Sequence, residues 1–236
     1  MVHLAGEEWP PFVSSALPGD GLSMSLVNAV YERLDSSAKV EYFPWKRTVE
    51  LGLNSPRFAG FLAVWRTPER ENLCYFSAPI ANTVTVLAYL KEAPLRVVSL
   101  LDLKGLRIGT VAGYANGEQF DAMAAGGELT AEEGVNDDIN LRKLLMRRFP
   151  AIVIEKHVLR HLLMSNQFTA AERERIGVVD NVFKERTVHV CFKRSAEGLL
   201  QQKQFNDAAR AIDFNKFERD YWKRVGVDGN RAAGNF

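Results

Sequence analysis

The chain has few cysteines, no long apolar run and no block of basic residues, and each absence excludes a class of protein. It carries only two cysteines, Cys74 and Cys191, with no Cys-x-x-Cys or Cys/His ligand spacing, which argues against a structural zinc site. No apolar stretch approaches the length that spans a bilayer. The 30 Lys and Arg nearly balance the 29 Asp and Glu, for a net charge of +1. Nucleic acid is therefore not an expected partner.

The cysteines and histidines give little sign of redox or metal chemistry. Both cysteines lie in apolar stretches, and we expect two buried free thiols, because Cys packs as a small hydrophobe; a disulfide between them would need an oxidising compartment. His157 and His161 are four residues apart on a predicted helix, which is the spacing of a metal-binding pair. No carboxylate completes a His-Glu-x-x-His pattern, and we interpret the pair as a helix face. We expect no metal, no cofactor and no catalytic residue.

Apolar periodicity predicts alternating strands and helices. Helices are predicted at 21–34, from Pro44, from Glu118, and at 140–148, 155–164, 196–212 and 214–225. Strands are predicted at 40–43, 61–64, 82–90, 151–154 and 188–192, with another opening a new α/β unit within 103–111. This alternation indicates mostly parallel sheets covered by helices. Polar seams at 91–94 and 193–195, each just after a strand, suggest two crossings between two lobes.

A Thr-Pro turn at 67–68 comes soon after the apolar run at 61–64. Because Pro68 fixes φ in the first turn of the next element, Thr67 is expected to cap a short helix, and Arg70 to point back over the strand end. A guanidinium fork with backbone N–H groups beside it suits a planar carboxylate. The alternative is a surface arginine in an ordinary salt bridge.

The ordered set of motifs resembles the two-lobe solute-binding proteins of amino-acid ABC importers, the polar amino-acid-binding group. The motifs are Glu8-Trp9-Pro10-Pro11-Phe12, the helix start at 21–26 with serines in place of two acids, Pro44-Trp45-Lys46-Arg47, Thr67-Pro68-Glu69-Arg70 with Tyr75-Phe76-Ser77-Ala78-Pro79, the second-lobe start at 103–113, and the tail at 196–206. The resemblance implies an α/β fold of the type II periplasmic binding protein class, with two hinge strands and a ligand cleft between lobes. Lobe 1 is expected at 1–88 with 192–236, and lobe 2 at 89–191.

The resemblance also implies roles for particular residues. In lobe 1, Arg70 would bind an α-carboxylate beside Thr67, Trp9 would stack on the ligand side chain, and Trp45 would form the opposite wall. Trp65 stands where a small hydroxyl residue is usual and would narrow the pocket.

In lobe 2, Gly113 and Tyr114 belong to the loop that would donate N–H groups, and Glu155 would accept the ligand's ammonium. Tyr114 and Ala115 replace two threonines of the family pattern, which thins the carboxylate grip. Alternative roles stay open for three kinds of residue: Trp9 and Trp45 as core aromatics, Trp65 as a residue beneath the lobe, and Glu155 as a first-turn acid favoured by the helix dipole.

The function implied is capture of a small carboxylate-bearing ligand, an amino acid or an analogue, for an ABC importer. The expected partners are that ligand and the membrane permease, and the protein is expected to be a monomer in the periplasm. The residues around Met1 show no signal peptide, and by themselves they leave a cytoplasmic protein and a mature exported form both open. Two alternatives are a ligand-sensing module of a signalling receptor and a dehydratase-like enzyme on the same scaffold.

Overall fold

The computed structural model describes residues 1–225, which divide into two compact units. Among these residues, unit 1 contains Met1–Asn82 and the chain from Thr187 to Val225, and unit 2 contains Thr83–Arg186. Within the described residues, none of the helices has both the length and the apolar content that a bilayer crossing requires.

The boundaries expected from the sequence lie a few residues further along the chain than this division. Lobe 1 at 1–88 with 192–236, and lobe 2 at 89–191, remain a prediction. The stretch 226–236 lies outside the described residues.

Strands and helices alternate along most of the chain, as the sequence predicts. The strands are β1 Val2–Gly6, β2 Ala38–Tyr42, β3 Gly60–Trp65, β4 Cys74–Phe76, β5 Ala81–Thr83, β6 Thr85–Leu90, β7 Arg107–Val111, β8 Thr130–Gly134, β9 Ala151–Glu155, β10 Ile176–Val179 and β11 Arg186–Lys193. The α-helices are α1 Leu22–Glu32, α2 Trp45–Asn54, α3 Pro68–Glu71, α4 Glu118–Ala125, α5 Asp137–Leu145, α6 Lys156–Met164, α7 Ala170–Glu174, α8 Ala196–Ala209 and α9 Phe214–Arg224.

The sheet of unit 1 combines parallel and antiparallel pairs. Its order is β2-β1-β3-β11-β4, with β5 also pairing with β11. Strand β1 is parallel to β2 and β3, whereas β11 is antiparallel to β3 and β4. The prediction of mostly parallel sheets is therefore wrong for the part of the sheet that contains β11. This strand comes after unit 2 in the sequence and runs in the opposite direction to β3 and β4.

The sheet of unit 2 has the same mixed character. Its order is β10-β6-β9-β7-β8, in which β7 is parallel to β8 and β9, and β6 is antiparallel to β9 and β10. Apolar side chains from strands, helix α4 and the preceding loop fill its core, namely Leu87, Val97, Leu100, Leu103, Ile108, Phe120, Met123, Leu129, Ala151 and Val153. Both parallel neighbours in this sheet end at the same edge, so the loops after them start close together.

Helix boundaries depend on capping side chains. Helix α5 begins three residues before its predicted start, at Asp137, because Asn136 accepts a hydrogen bond from the N–H of Ile139 at 2.9 Å. Helix α1 begins after Gly21, whose φ is +93° and whose added Cβ would lie 2.5 Å from the Phe12 carbonyl oxygen. Only glycine fits that approach without backbone movement.

The strand predicted at 82–90 is two strands, β5 and β6, separated at Val84. The Val84 N–H donates to Oε1 of Glu155 at 3.0 Å rather than to a neighbouring strand. The Glu155 carboxylate thus takes the place of a backbone carbonyl of a neighbouring strand as the acceptor at this position. The alternation of apolar residues could not predict this break in the strand.

Cys74 and Cys191 form a disulfide, so the expectation of two free thiols is wrong. The two residues lie on the paired strands β4 and β11, and their Cα atoms are 5.5 Å apart, a separation that suits the bond. The bond joins segments 117 residues apart in sequence and encloses all of unit 2 between its ends. Both side chains are buried, as the sequence predicts.

Strand β3 contains a bulge near its end. Phe61 pairs with Cys191 and Val64 with His189, so Leu62 and Ala63 together face one residue of β11. Ala63 has φ +60°, a left-handed conformation that L-residues adopt at a cost of about 1–2 kcal/mol. The bulge bends the strand just before Trp65 and the turn that carries Arg70.

Candidate functional site

Arg70 lies on helix α3, directly after strand β3 in unit 1. The hydroxyl of Thr67 caps this helix by accepting the Arg70 N–H at 3.3 Å, and Pro68 occupies its first turn, so the predicted cap is present. The half-buried side chain turns back over the strand end, where Nη1 donates to the Trp65 carbonyl at 2.9 Å. Its guanidinium carbon lies 5.5 Å from the ring centroid of Trp45. These contacts fix the direction of the guanidinium fork.

The predicted tryptophans are mostly buried, and two of them, Trp45 and Trp65, contact this arginine. Trp9, Trp45 and Trp65 are 5%, 6% and 6% exposed, which leaves little ring surface open to solvent. Trp9 stacks on Phe12 at 4.6 Å and meets Trp65 edge-on at 5.4 Å. Among the described residues, no hydrogen-bond partner is present for the buried indole N–H of Trp9. Such a donor costs about 1–3 kcal/mol unless another molecule accepts its hydrogen bond.

Trp222 is an aromatic neighbour that the sequence did not predict. It lies on helix α9, and its ring meets that of Phe12 edge-on at 6.0 Å, so it joins the cluster that contains Trp9. The adjacent pair Tyr221-Trp222 within a predicted helix was the available signal. Nothing local to that helix indicates which distant aromatic residues it packs against.

The loop 113–117 comes after strand β7 in unit 2. Gly113 and Gly117 have φ of +79° and +112°, and the N–H of Tyr114 donates to the Val111 carbonyl at 3.0 Å. The predicted residues Gly113 and Tyr114 therefore lie in a tight turn at the carboxyl end of the strand. Backbone N–H groups in such turns form anion-binding concavities.

Two charged residues that the sequence did not predict hold this loop. Both carboxylate oxygens of Asp121 accept the Asn116 N–H at 3.1 Å, and Nη1 of Arg186 donates to the Ala115 carbonyl at 2.9 Å. Burial raises the pKa of Asp121, although the bonds from Asn116 and the charge of Arg186 act in the opposite direction. Asn116 and Asp121 are only five residues apart, which was a local signal for the first contact, but none existed for the second.

The carboxylate of Glu155 is buried and fully engaged within unit 2. Oε2 accepts the N–H groups of His157 and Val158 at 2.5 and 2.9 Å, which makes Glu155 the N-cap of helix α6. Oε1 accepts from the Val84 N–H at 3.0 Å and contacts Nδ1 of His157 at 3.1 Å. Four donors match the roughly four lone-pair sites of a carboxylate. The sequence left open a first-turn acid favoured by the helix dipole; Glu155 instead stands one position earlier, as the N-cap, and the ammonium contact stays a prediction.

The structure groups the predicted residues by unit. Trp9, Trp45, Trp65, Thr67 and Arg70 form one connected cluster in unit 1 through the contacts above. Gly113, Tyr114 and Glu155 lie in unit 2, where β7 and β9 are parallel neighbours and the residues after them share one sheet edge. Their binding roles remain predictions.

The predicted histidine pair lies on helix α6, as expected. His157 contacts Glu155, and His161 is half-buried, which lowers its pKa. Within residues 1–225, no three His, Cys, Asp or Glu side chains come together as a set of metal ligands.

Solved structures resemble the chain over nearly its whole length. An ancestral arginine-binding protein bound to arginine has a TM-score of 0.75 and 17% identity, and the match covers 94% of this chain and 96% of that one. A histidine kinase sensor domain with similarity to periplasmic binding proteins has a TM-score of 0.78 and 14% identity, covering 97% and 96%.

The substrate-binding protein of an amino acid ABC transporter has a TM-score of 0.73 and 17% identity, covering 94% of this chain and 97% of that one. No family model matches the chain, and no curated protein matches its sequence. At these identities the likeness concerns the fold, and the similar proteins are binding and sensor proteins. The chain therefore has the α/β fold of two-lobe periplasmic binding proteins, as its ordered motifs predict.

Proposed function

We propose that the protein is an extracytoplasmic solute-binding protein that captures a small carboxylate-bearing molecule, an amino acid or an analogue, for an ABC importer. Its partners are then that molecule and a membrane permease, and it acts as a monomer without a cofactor and without catalysis. The fold supports this proposal, since an amino acid transporter's substrate-binding protein shares it.

The position of Arg70 is the observation that carries the proposal. Its guanidinium is oriented by the Trp65 carbonyl and the face of Trp45, beside the Thr67 hydroxyl at the helix start. An arginine whose geometry is set before binding loses less conformational entropy when it grips a carboxylate. The indole N–H of Trp9, for which the described part of the chain offers no acceptor, is a second donor that a bound molecule would satisfy.

The remaining predicted residues have definite places in this proposal. Trp9 and Trp45 would stack against the solute, Trp65 would narrow the space for it, and the loop that contains Gly113 and Tyr114 would contact its carboxylate.

Glu155 needs a modified role, because its four donors leave no spare acceptor site. Three of those donors are backbone N–H groups, and the fourth is the ring of His157. An ammonium group would therefore replace the histidine ring at Oε1.

The disulfide supports the extracytoplasmic location. Structural disulfides form and persist in oxidising compartments and are rare in the cytosol. The Cys74–Cys191 bond joins two buried cysteines on paired strands, which is the setting of a structural bond rather than of an exposed, reactive thiol pair.

The test is a binding screen with an arginine variant. The standard L-amino acids, beginning with L-arginine, simple carboxylates and a set of neutral sugars are screened by tryptophan fluorescence and calorimetry. Arg70→Ala is expected to weaken the tightest of them by roughly 2–5 kcal/mol, or about 30- to 4,000-fold, because the carboxylate loses a charge-assisted fork.

Arg57→Ala is the matched control, since Arg57 also lies over an aromatic ring in unit 1 but is an exposed partner of Glu41. It should bind like the wild type. A folded Arg70→Ala protein with unchanged affinity would show that this arginine does not bind the carboxylate. A neutral sugar as the tightest solute would show that the ligand class is wrong.

A sensing role is the second candidate, because a histidine kinase sensor domain shares the fold. The two functions separate in cells that lack the gene. Loss of uptake of the labelled solute supports transport. Normal uptake with loss of a solute-dependent transcriptional response supports sensing.

A further inference from the structure

Arg186 joins three separate backbone segments of unit 2. It is the last residue of that unit and the first of strand β11. Its Nη1 donates to the Ala115 carbonyl at 2.9 Å, and its Nη2 donates to the Thr85 hydroxyl at 3.2 Å. Its own carbonyl accepts the Thr83 hydroxyl at 2.8 Å. One residue therefore connects the two ends of unit 2 to each other and to the loop 113–117.

The loop needs such an anchor because both of its ends are glycines with positive φ. Glycine gives the backbone more conformational freedom than any other residue, so a loop between two of them is poorly fixed by its own sequence. Asp121 holds the loop through the N–H of Asn116, and Arg186 holds it through the adjacent carbonyl of Ala115. These two contacts bind the C=O and the N–H of one peptide group, the one between Ala115 and Asn116.

We propose that Arg186 is a positioning residue, which holds the loop 113–117 in the conformation that receives the carboxylate end of the bound solute. This inference rests on the proposed function, which gives the loop that role. Arg186 acts through the loop rather than by touching the solute. Ordering the loop before binding raises affinity, because its conformational entropy is not lost in the binding step.

The fork of the guanidinium, and not only its charge, is required. Two different nitrogen atoms reach two acceptors on different segments. A lysine presents its donors from one nitrogen on a flexible stem and does not reproduce this geometry. Thr85 is nearly fully buried, so few water molecules are available to take over the lost contact at its hydroxyl.

The first experiment compares Arg186→Lys and Arg186→Gln with Arg107→Gln, in the full chain. Arg107 is the matched control, because it lies at the opposite end of β7 from the loop and pairs on the surface with Glu132. The probe is the tightest binder of the amino-acid screen. Both Arg186 variants are expected to bind it at least about tenfold more weakly, with faster amide hydrogen exchange in the loop. The control should match the wild type in both measurements.

The second experiment is chemical rescue. Adding methylguanidinium to Arg186→Ala should restore part of the affinity and part of the loop's protection from exchange, whereas methylammonium should not. A role in overall stability alone would not give this selectivity. Failure of methylguanidinium to restore either property contradicts the proposal.

The outcomes separate this inference from the proposed function. Wild-type affinity and wild-type loop exchange in Arg186→Gln overturn the inference, and so does wild-type behaviour of Arg186→Lys. Faster loop exchange with unchanged affinity also overturns it, because the loop would then be anchored without consequence for binding. If instead Arg70→Ala leaves affinity unchanged, the proposed function fails, and loop exchange still decides whether Arg186 anchors the loop.

Discussion

Removing the disulfide should destabilise the protein by an amount that reports how its units unfold. The Cys74→Ala/Cys191→Ala double variant avoids placing hydroxyl groups at two buried positions. The bond closes a loop of 117 residues. If the whole chain unfolds at once, the loop-closure entropy corresponds to about 5 kcal/mol.

The expected loss is smaller if unit 2 stays folded when unit 1 opens. The folded unit then brings Thr83 and Arg186 together, as their 2.8 Å hydrogen bond shows. The flexible part of the loop shrinks to roughly 15 residues, for which the same entropy argument gives about 3 kcal/mol. A loss near 3 kcal/mol therefore indicates stepwise unfolding, and a loss near 5 kcal/mol indicates concerted unfolding.

Urea denaturation monitored by two probes measures this difference. All four tryptophans lie in unit 1, so their fluorescence reports that unit, and hydrogen exchange of strands β6 to β9 reports unit 2. The melting temperature should fall by roughly 6–20 °C. The wild type under reducing conditions is the control for the substitutions themselves. Equal stability of the wild type and the double variant would refute the argument, as would free thiols in the native wild type.

Two further predictions concern unit 1. Ala63→Gly should raise the free energy of unfolding by about 0.5–1 kcal/mol, because relief of a left-handed alanine outweighs the entropy of an added glycine. The control Ala59→Gly, at a position where φ is not positive, should lower the free energy of unfolding. Equal urea midpoints of Ala63→Gly and the wild type would show that Ala63 is not strained. Burial lowers the pKa of His189, with the Ser77 carbonyl opposing and Arg66 adding to the effect. As the pH falls, the unfolded chain therefore binds a proton at His189 before the folded protein does. The free energy of unfolding decreases as the pH falls through 6.5, the pKa of this histidine in the unfolded chain. Urea midpoints between about pH 7.5 and 5.5 should fall less in His189→Gln than in the wild type, and an equal fall would refute this assignment.

The sequence predicted those features that short segments determine. Thr67 and Pro68 fix a helix start by their own chemistry, so the cap that orients Arg70 could be predicted. The order of motifs predicted the fold class. The prediction failed where one segment depends on a distant one, as at Val84, whose backbone is bound by Glu155.

The missed strand β8 has a similar cause. Its residues Thr130–Gly134 include two glutamates and no apolar alternation, and pairing with β7 makes them a strand. The disulfide joins residues 117 positions apart, and the contacts of Trp222 with Phe12 and of Arg186 with Ala115 also join residues far apart in the sequence. Periodicity contains no information about such pairs, because they are selected by tertiary packing.

The place of β11 in the sheet has a consequence for synthesis on the ribosome. It lies between β3 and β4, yet it emerges after the whole of unit 2. At about 5–20 residues per second, the open edge of β3 waits roughly 6–24 seconds for its neighbour. An unpaired strand edge is a template for wrong pairing, so the nascent chain is most exposed to aggregation during this interval. Unit 2, whose strands are contiguous in sequence, is fully synthesised before this interval ends.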